Sequence, residues 1–436
     1  MELDSDVISA SGDKVVLHLP VKDRSFDLSK AVCSHGLFMM APNHWDPITR
    51  TFNRPLRLSS SSGYCSIRVN ISHPCPSSPL IVTVAGSASL SPEDEEAVLD
   101  QVRRMMRMSE DNDRIIQEFH RVHADSRERG FGRVFRSPTL FEDMIKCILL
   151  CNCQWPRTLS MARALCELQP QMKGYSSAEA FHPKTPQKRE MKRKRRPKKN
   201  KVTMMSERKF VDVEAVDPEN PELKTNQNTN SPGFHNLDAV SQSCQDQASF
   251  PYEPIGNFPM PEELAGCDPA FLASHCKLGY RAQRIVHLAR IITDGKLELK
   301  KLEELCKWYS ESSYELLEQQ LMVLSGFGPF TRANVLMCMG FYHRVPADTE
   351  TVRHIRQYHG RSCSLKCVQK DIEAIYGNYA PFQFLVYWSE LWKYYEEKFG
   401  TWSKMPASSY QLVTASNMKD EIPLRLKDKN LESEEQ

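Results

Sequence analysis

Four short runs between residues 13 and 90 are rich in β-branched, aromatic and other apolar residues: KVVLHLP, GLFMMAPN, CSIRVNIS and LIVTVAG. Turn-forming clusters separate them, and the pattern predicts strands. The period changes at Ser91-Pro92-Glu93-Asp94, which reads as a helix start with Ser91 as N-cap and Pro92 at the first helical position. From there the apolar positions recur at helical spacing. Residues 137–169 hold two helical runs with a break near Cys151–Pro156. Between 170 and 254 the periodicity is lost to Lys, Pro, Asn, Ser and Gln, as in a disordered insert. Helical order resumes from about 259 to 400, and the polar stretch 403–436 reads as a mobile tail. No internal repeat is visible.

The expected architecture is therefore α+β. An N-terminal α+β domain spans 13–125, and a helical domain spans 126–169 and 255–402. A disordered basic insert (170–254) interrupts the helices, and a disordered tail (403–436) follows them.

Composition narrows the class. A chain of 436 residues can bury a sizeable core. No apolar run is long enough to span a membrane. The start, MELDSDVISA, is acidic and lacks the basic, then apolar, pattern of a signal peptide. Cys147, Cys151 and Cys166 sit in apolar helical patterns and read as reduced, buried thiols of an intracellular protein.

Charge is uneven. The net charge is +2, yet Lys188–Lys201 (KREMKRKRRPKKNK) holds ten basic residues against one glutamate. The remainder of the chain is thus net acidic, and any nucleic-acid footprint on it must be local. The basic run matches a nuclear-import signal, so a nuclear protein and an import receptor as partner are expected; a solvated tail is the plainer reading.

The stretch Leu324–Arg353 reads LSGFGPFTRANVLMCMGFYHRVPADTETVR. Helical spacing over 312–324 and 330–340 leaves Ser325-Gly326-Phe327-Gly328-Pro329 as a tight turn between two helices. Backbone N–H groups at such a turn suit a phosphate. An ordinary helical hairpin would look the same. Asp348 precedes a helix expected over 349–358, and capping alone would explain it.

Taken together, Leu324-Ser325-Gly326-Phe327-Gly328 and Ala347-Asp348-Thr349-Glu350-Thr351-Val352-Arg353 resemble the helix-hairpin-helix (HhH-GPD) DNA glycosylase superfamily. There Leu-Pro-Gly-x-Gly is followed by Val-Asp-Thr-His-x-x-Arg; here Pro has become Ser and His has become Glu. Three further segments resemble the 8-oxoguanine glycosylase branch: Lys277-Leu278-Gly279-Tyr280-Arg281-Ala282, Cys151-Asn152-Cys153-Gln154-Trp155-Pro156-Arg157 and Gly377-Asn378-Tyr379-Ala380-Pro381-Phe382. Phe26-Asp27-Leu28 and His44-Trp45 echo the N-terminal domain of that branch. The likeness covers most of the chain outside the insert and tail, with AlkA-like members as the other near branch.

The resemblance implies a small antiparallel, TBP-like sheet followed by an all-α HhH-GPD domain. It implies a monomeric glycosylase acting on duplex DNA that carries a damaged base, with no cofactor and no membrane partner. Asp348 would be catalytic, stabilising positive charge on the sugar and orienting a water. Gly326, Phe327, Gly328 and Thr331 would hold the DNA backbone. Tyr280 would fill the gap left by an extruded base, while Asn152, Arg157 and Arg281 would meet the stranded partner base.

Departures from the pattern matter. Bifunctional members carry a lysine two residues after the second hairpin glycine, and Phe330 stands there instead. Schiff-base chemistry by that route is therefore not expected. Phe384 stands where a base-reading Gln is expected and Trp388 at a stacking Phe, so Phe330, Phe384 and Trp388 are the base-pocket candidates. Phe384, Trp388, Leu391, Trp392, Tyr395 and Phe399 also follow helical spacing and read equally as core. His354, His359, Cys363 and Cys367 have zinc-ligand chemistry, but two of them share the helix after Asp348, and no metal is expected.

The reading is a monofunctional DNA N-glycosylase. A non-catalytic damage-binding scaffold, or a bifunctional lyase using another amine such as Lys277, are the alternatives.

Overall fold

The computed structural model describes residues 14–59, 65–172 and 255–418. The basic run Lys188–Lys201 lies outside the described residues, as does most of the expected insert and the end of the tail.

Five strands form one antiparallel sheet: β1 (Lys14–Leu19), β2 (His44–Asp46), β3 (Thr51–Arg57), β4 (Ser66–Ser72) and β5 (Leu80–Ala85). Their order is β1-β5-β4-β3-β2. Alternation fixes the register. Val69 pairs with Val84 and Ile71 with Val82, so one face carries the apolar set and all four are buried.

Two strand expectations change. GLFMMAPN forms no strand; Gly36–Met39 is a 3₁₀ turn opened by His35, whose ring accepts from Leu37 N. Leu37, Phe38, Met39 and Met40 are all buried, so this run packs on every side instead of alternating. Strand β3 went unread in the sequence because Pro55 and an inward arginine interrupt its apolar pattern. Arg54 points into the core between Phe52 and Leu56. Its charge is matched there: Arg54 Nη2 lies 2.9 Å from Glu142 Oε2, and Lys146 Nζ lies 2.7 Å from Glu142 Oε1.

The helical part begins as expected. Ser91 Oγ accepts from Asp94 N at 3.1 Å and Pro92 opens the helix Pro92–Met106. Residues 137–169 resolve into helices Leu140–Leu150 and Trp155–Met172 with the break where expected, although the second outlasts its expected end by one turn. Arg104 ties the helix Pro92–Met106 to Asp143 at 2.8 Å. Sheet and helices share one apolar core that includes Trp45, Phe52, Phe135, Ile145 and Leu336.

The tail expectation is corrected over residues 403–418, which continue from Trp402. They form three short 3₁₀ turns, Trp402–Lys404, Ala407–Leu412 and Ala415–Asn417. Trp402, Met405, Tyr410 and Val413 are buried. Two indoles from distant parts of the chain anchor this segment: Trp45 Nε1 donates to Ser403 O and Trp155 Nε1 to Tyr410 O, both at 2.9 Å. A few aromatic anchors suffice to order a polar stretch, because each large buried ring is worth about 2–3 kcal/mol.

Candidate functional site

The hairpin is present. Helix Glu311–Met322 is followed by the turn and by helix Pro329–Met339, with Gly328 as its N-cap and Pro329 at its first position. Gly326 has φ +89°, a conformation open to glycine, and a Cβ there would also meet the Arg284 side chain. Thr331 Oγ1 closes the turn by donating to Gly326 O at 3.1 Å. The side chains of Phe327 and Thr331 are buried, so they serve the turn's shape. What the hairpin offers outward is backbone at exposed Ser325 and Gly328.

Asp348 caps the helix Thr349–Gln357. Its Oδ1 accepts from Thr351 N and from Thr351 Oγ1, each at 2.9 Å. Capping is therefore real, but it uses one oxygen. The residue is partly buried and lines a cleft of about 640 Å³. Burial pushes its carboxyl above the usual aspartate range, the Thr351 bonds pull it back, and the neighbouring Glu350 carboxylate adds to the rise.

Glu350 faces the same cleft. Tyr395 Oη donates to its Oε1 at 2.7 Å, and Arg353 Nε donates to its Oε2 at 2.9 Å. The cleft's described lining thus carries two carboxylates and no lysine.

The cleft is aromatic on the other side. Phe330 and Trp388 both line it. Trp388 Nε1 donates to Ser34 O and Trp392 Nε1 to Cys33 O, both at 2.9 Å, which fixes the planes of both indoles. Phe384 does not reach the cleft. It is fully buried, packs against Tyr342 and Tyr387, and stacks on Trp388 with centroids 5.8 Å apart. The helix Gln383–Phe399 presents a ladder, and only its later rungs are open to the cleft.

Sequence reasoning missed several lining residues. His35 lies 4.4 Å, centroid to centroid, from Trp388. Burial, and then the nearby Arg107 charge, press its pKa down to about 3, so the ring is neutral near pH 7. Its Nδ1 accepts from Leu37 N at 3.3 Å, which leaves Nε2 to carry the proton. Asn334, Gln411, Thr414 and Asn417 also line the cleft. Asn334 stands one turn after Phe330 on the hairpin's second helix, a spacing visible in the sequence. The others come from segments remote in the chain and left no local signal.

Around Tyr280 a second group assembles beside the hairpin. Tyr280 is 47% exposed, and the guanidinium groups of Arg281 and Arg284 each lie 4.7 Å from its ring centroid. Asn152 and Arg157 are exposed nearby, with Arg157 Nη2 donating to Lys277 O at 3.3 Å. Arg281 departs from expectation. It is buried, and its Nη2 donates to the carbonyls of Cys151 and Asn152. Its guanidinium holds the loop that presents Asn152 and does not reach outward. Asn152, Lys277 and Gly279 all have left-handed backbone. For Lys277 that costs about 1 kcal/mol, which the surrounding contacts must offset.

No family model and no curated protein matches the chain. Solved structures do. A complex of MBOgg1 with a low-affinity DNA ligand matches with 15% identity and a TM-score of 0.50, covering 88% of this chain and 98% of that one. The 3-methyladenine DNA-glycosylase from Archaeoglobus fulgidus matches with 13% identity and a TM-score of 0.51, covering 87% and 98%. The chain shares the fold of these two structures. Within that fold the turn at Gly326–Pro329, the cap at Asp348 and the exposed Tyr280 all come from the segments that carry the sequence resemblance.

Proposed function

We propose that the protein is a DNA glycosylase that extrudes a damaged base from duplex DNA and hydrolyses its N-glycosidic bond. The observation that carries this reading is Asp348: a carboxylate with one oxygen tied to its own helix, on the wall of a cleft that Phe330, Trp388 and Trp392 also face. Flat aromatic walls suit an extruded base. Departure of that base builds positive charge on the sugar, and a fixed carboxylate beside it stabilises that charge and orients the attacking water. Tyr280 would fill the space the base vacates, with Asn152 and Arg157 facing its former partner. The hairpin backbone at Gly328 would hold the phosphate. One fold relative is itself a 3-methyladenine DNA-glycosylase and the other was solved with DNA.

Attack by water, not by an enzyme amine, is the finer part of the proposal. Phe330 supports it, since no lysine is among the cleft's described lining residues and Lys277 lies with Tyr280 instead. The basic run Lys188–Lys201 would bring the chain to the nucleus through an import receptor.

The test is Asp348→Asn. Asparagine caps helices as well as aspartate does, so the helix Thr349–Gln357 should persist and only the charge is lost. Base release from lesion-bearing duplexes should fall by at least about a hundredfold, a size typical of losing one such group, with DNA binding kept. Full activity in the variant would overturn the assignment. Binding without release on every lesion by the unaltered chain would favour the non-catalytic scaffold.

A further inference from the structure

Behind the cleft wall at Tyr387, four polar side chains from different elements meet at one point. His354 comes from the helix Thr349–Gln357, His359 from the loop after it, Tyr376 from the end of the helix Val368–Tyr376, and Glu390 from the helix Gln383–Phe399. His354 Nε2 lies 3.3 Å from Glu390 Oε2, His359 Nε2 lies 2.9 Å from it, and the Tyr376 hydroxyl 2.8 Å. His359 Nε2 is also 2.9 Å from Tyr376 Oη. The imidazole of His354 is fully buried and that of His359 nearly so.

As a hydrogen-bonded cluster this is overcrowded. A carboxylate oxygen offers two lone pairs, and three donors crowd Oε2. Were His359 Nε2 unprotonated, its lone pair would face that oxygen at 2.9 Å instead. The same atoms make good sense as ligands. Two imidazole nitrogens and one carboxylate oxygen form a known donor set for zinc. Tetrahedral coordination at about 2.0–2.1 Å sets ligand atoms roughly 3.3 Å apart. The nitrogen and oxygen donors of His354, His359 and Glu390 all lie within 4.8 Å of one another, and the two measured nitrogen–oxygen separations are 2.9 and 3.3 Å. Small side-chain shifts would bring them to one centre.

We propose that His354, His359 and Glu390, with Tyr376 beside them, form a binding site for one divalent d-block cation such as zinc. The ion would staple three elements together. One of them is the helix whose first turn is capped by Asp348, and the His354 ring lies 5.5 Å, centroid to centroid, from Tyr387 of the cleft wall, so the ion's role is structural support behind that wall. The proposal does not depend on the glycosylase reading.

The neighbouring Cys363, Cys367 and Asp371 also bring three ligand atoms together, and the experiment must tell the two sites apart. The full chain is stripped with a chelator and titrated with cobalt(II). The expected result is one equivalent bound, with a visible d–d band and no thiolate-to-metal absorption in the near ultraviolet. Adding zinc should displace the cobalt and raise the melting temperature of the stripped chain. The equivalent should be lost in His359→Asn and in Glu390→Gln, and kept in Cys363→Ser/Cys367→Ser. No uptake by the unaltered chain, or a strong thiolate band as its only signature, would overturn the proposal. Because that spectrum is read on the unaltered chain, the proposal stays testable even if a variant fails to fold.

Discussion

Tyr395 Oη donates to Glu350 Oε1 at 2.7 Å, and this bond fixes a second carboxylate in the cleft that Asp348 lines. The pair has a consequence for pH. Burial and then Glu350 raise the Asp348 carboxyl, so it takes up its proton at a higher pH than an ordinary aspartate. Chemistry that needs its charge is complete at high pH and is lost on acidification, starting above the usual value of about 3.9. Replacing Glu350 with Gln removes a like charge and frees the Arg353 cation. Both changes favour ionised Asp348. The acid limb of the single-turnover rate should therefore move to lower pH in Glu350→Gln; an unmoved limb would show that the two carboxylates do not communicate.

Gly328 tests the hairpin. Its backbone is ordinary, with φ −64°, and a Cβ there would meet nothing within 4 Å. Beyond a modest preference for glycine over alanine at a helix N-cap, the fold has no use for a glycine at this place. A DNA backbone lying against the turn would. Gly328→Ala should lower stability by no more than about 1 kcal/mol, the cost of a poorer N-cap, and weaken duplex binding by about tenfold, or roughly 1.4 kcal/mol, as read by fluorescence anisotropy. Unchanged affinity would mean that the strand does not approach this turn.

Phe330 reaches the cleft from the second helical position after Gly328. An amine placed there would share the cleft with Asp348. Phe330→Lys should give a covalent adduct with lesion-bearing DNA under borohydride, whereas the unaltered chain should give none. The loss of packing should cost about 1 kcal/mol of stability. A trapped adduct from the unaltered protein would point to another amine.

The buried triad of Arg54, Glu142 and Lys146 should govern acid stability. Burial alone would raise the Glu142 carboxyl, but the two cations overcome it and bring it to about 2. A depressed carboxylate contributes stability that is fully present above the unfolded value, about 4.3, and is lost as pH falls through the folded one. Glu142→Ala leaves two buried cations without a counter-charge and should destabilise the fold by about 3–5 kcal/mol. Urea unfolding at several pH values would show the cost, and the acid dependence of the unaltered protein should shrink in the variant.

Much of this arrangement was legible in the chain because its signals are local. The Gly326–Pro329 turn, the Ser91 cap and the break after Leu150 each depend on residues next to one another. Asp348 could be placed before its helix for the same reason. What escaped is set by distance. Nothing near Arg54 announces that its partner lies eighty-eight positions away. Phe384 and Trp388 share one helical face, yet Tyr342 covers the first and leaves the second to the cleft. Arg281 reads as an outward arginine until the carbonyls of Cys151 and Asn152 are seen to take it. Trp402 and Tyr410 lie in a stretch whose polarity hides how firmly two anchors hold it.

That last stretch has a temporal meaning. Gln411, Thr414 and Asn417 form part of the cleft wall, and they follow the sheet, the hairpin and Asp348 in the chain. A ribosome makes them after the sheet, the hairpin and the acid are already out. A nascent chain that stops short of Gln411 therefore lacks part of the cleft wall, however completely its earlier segments have folded.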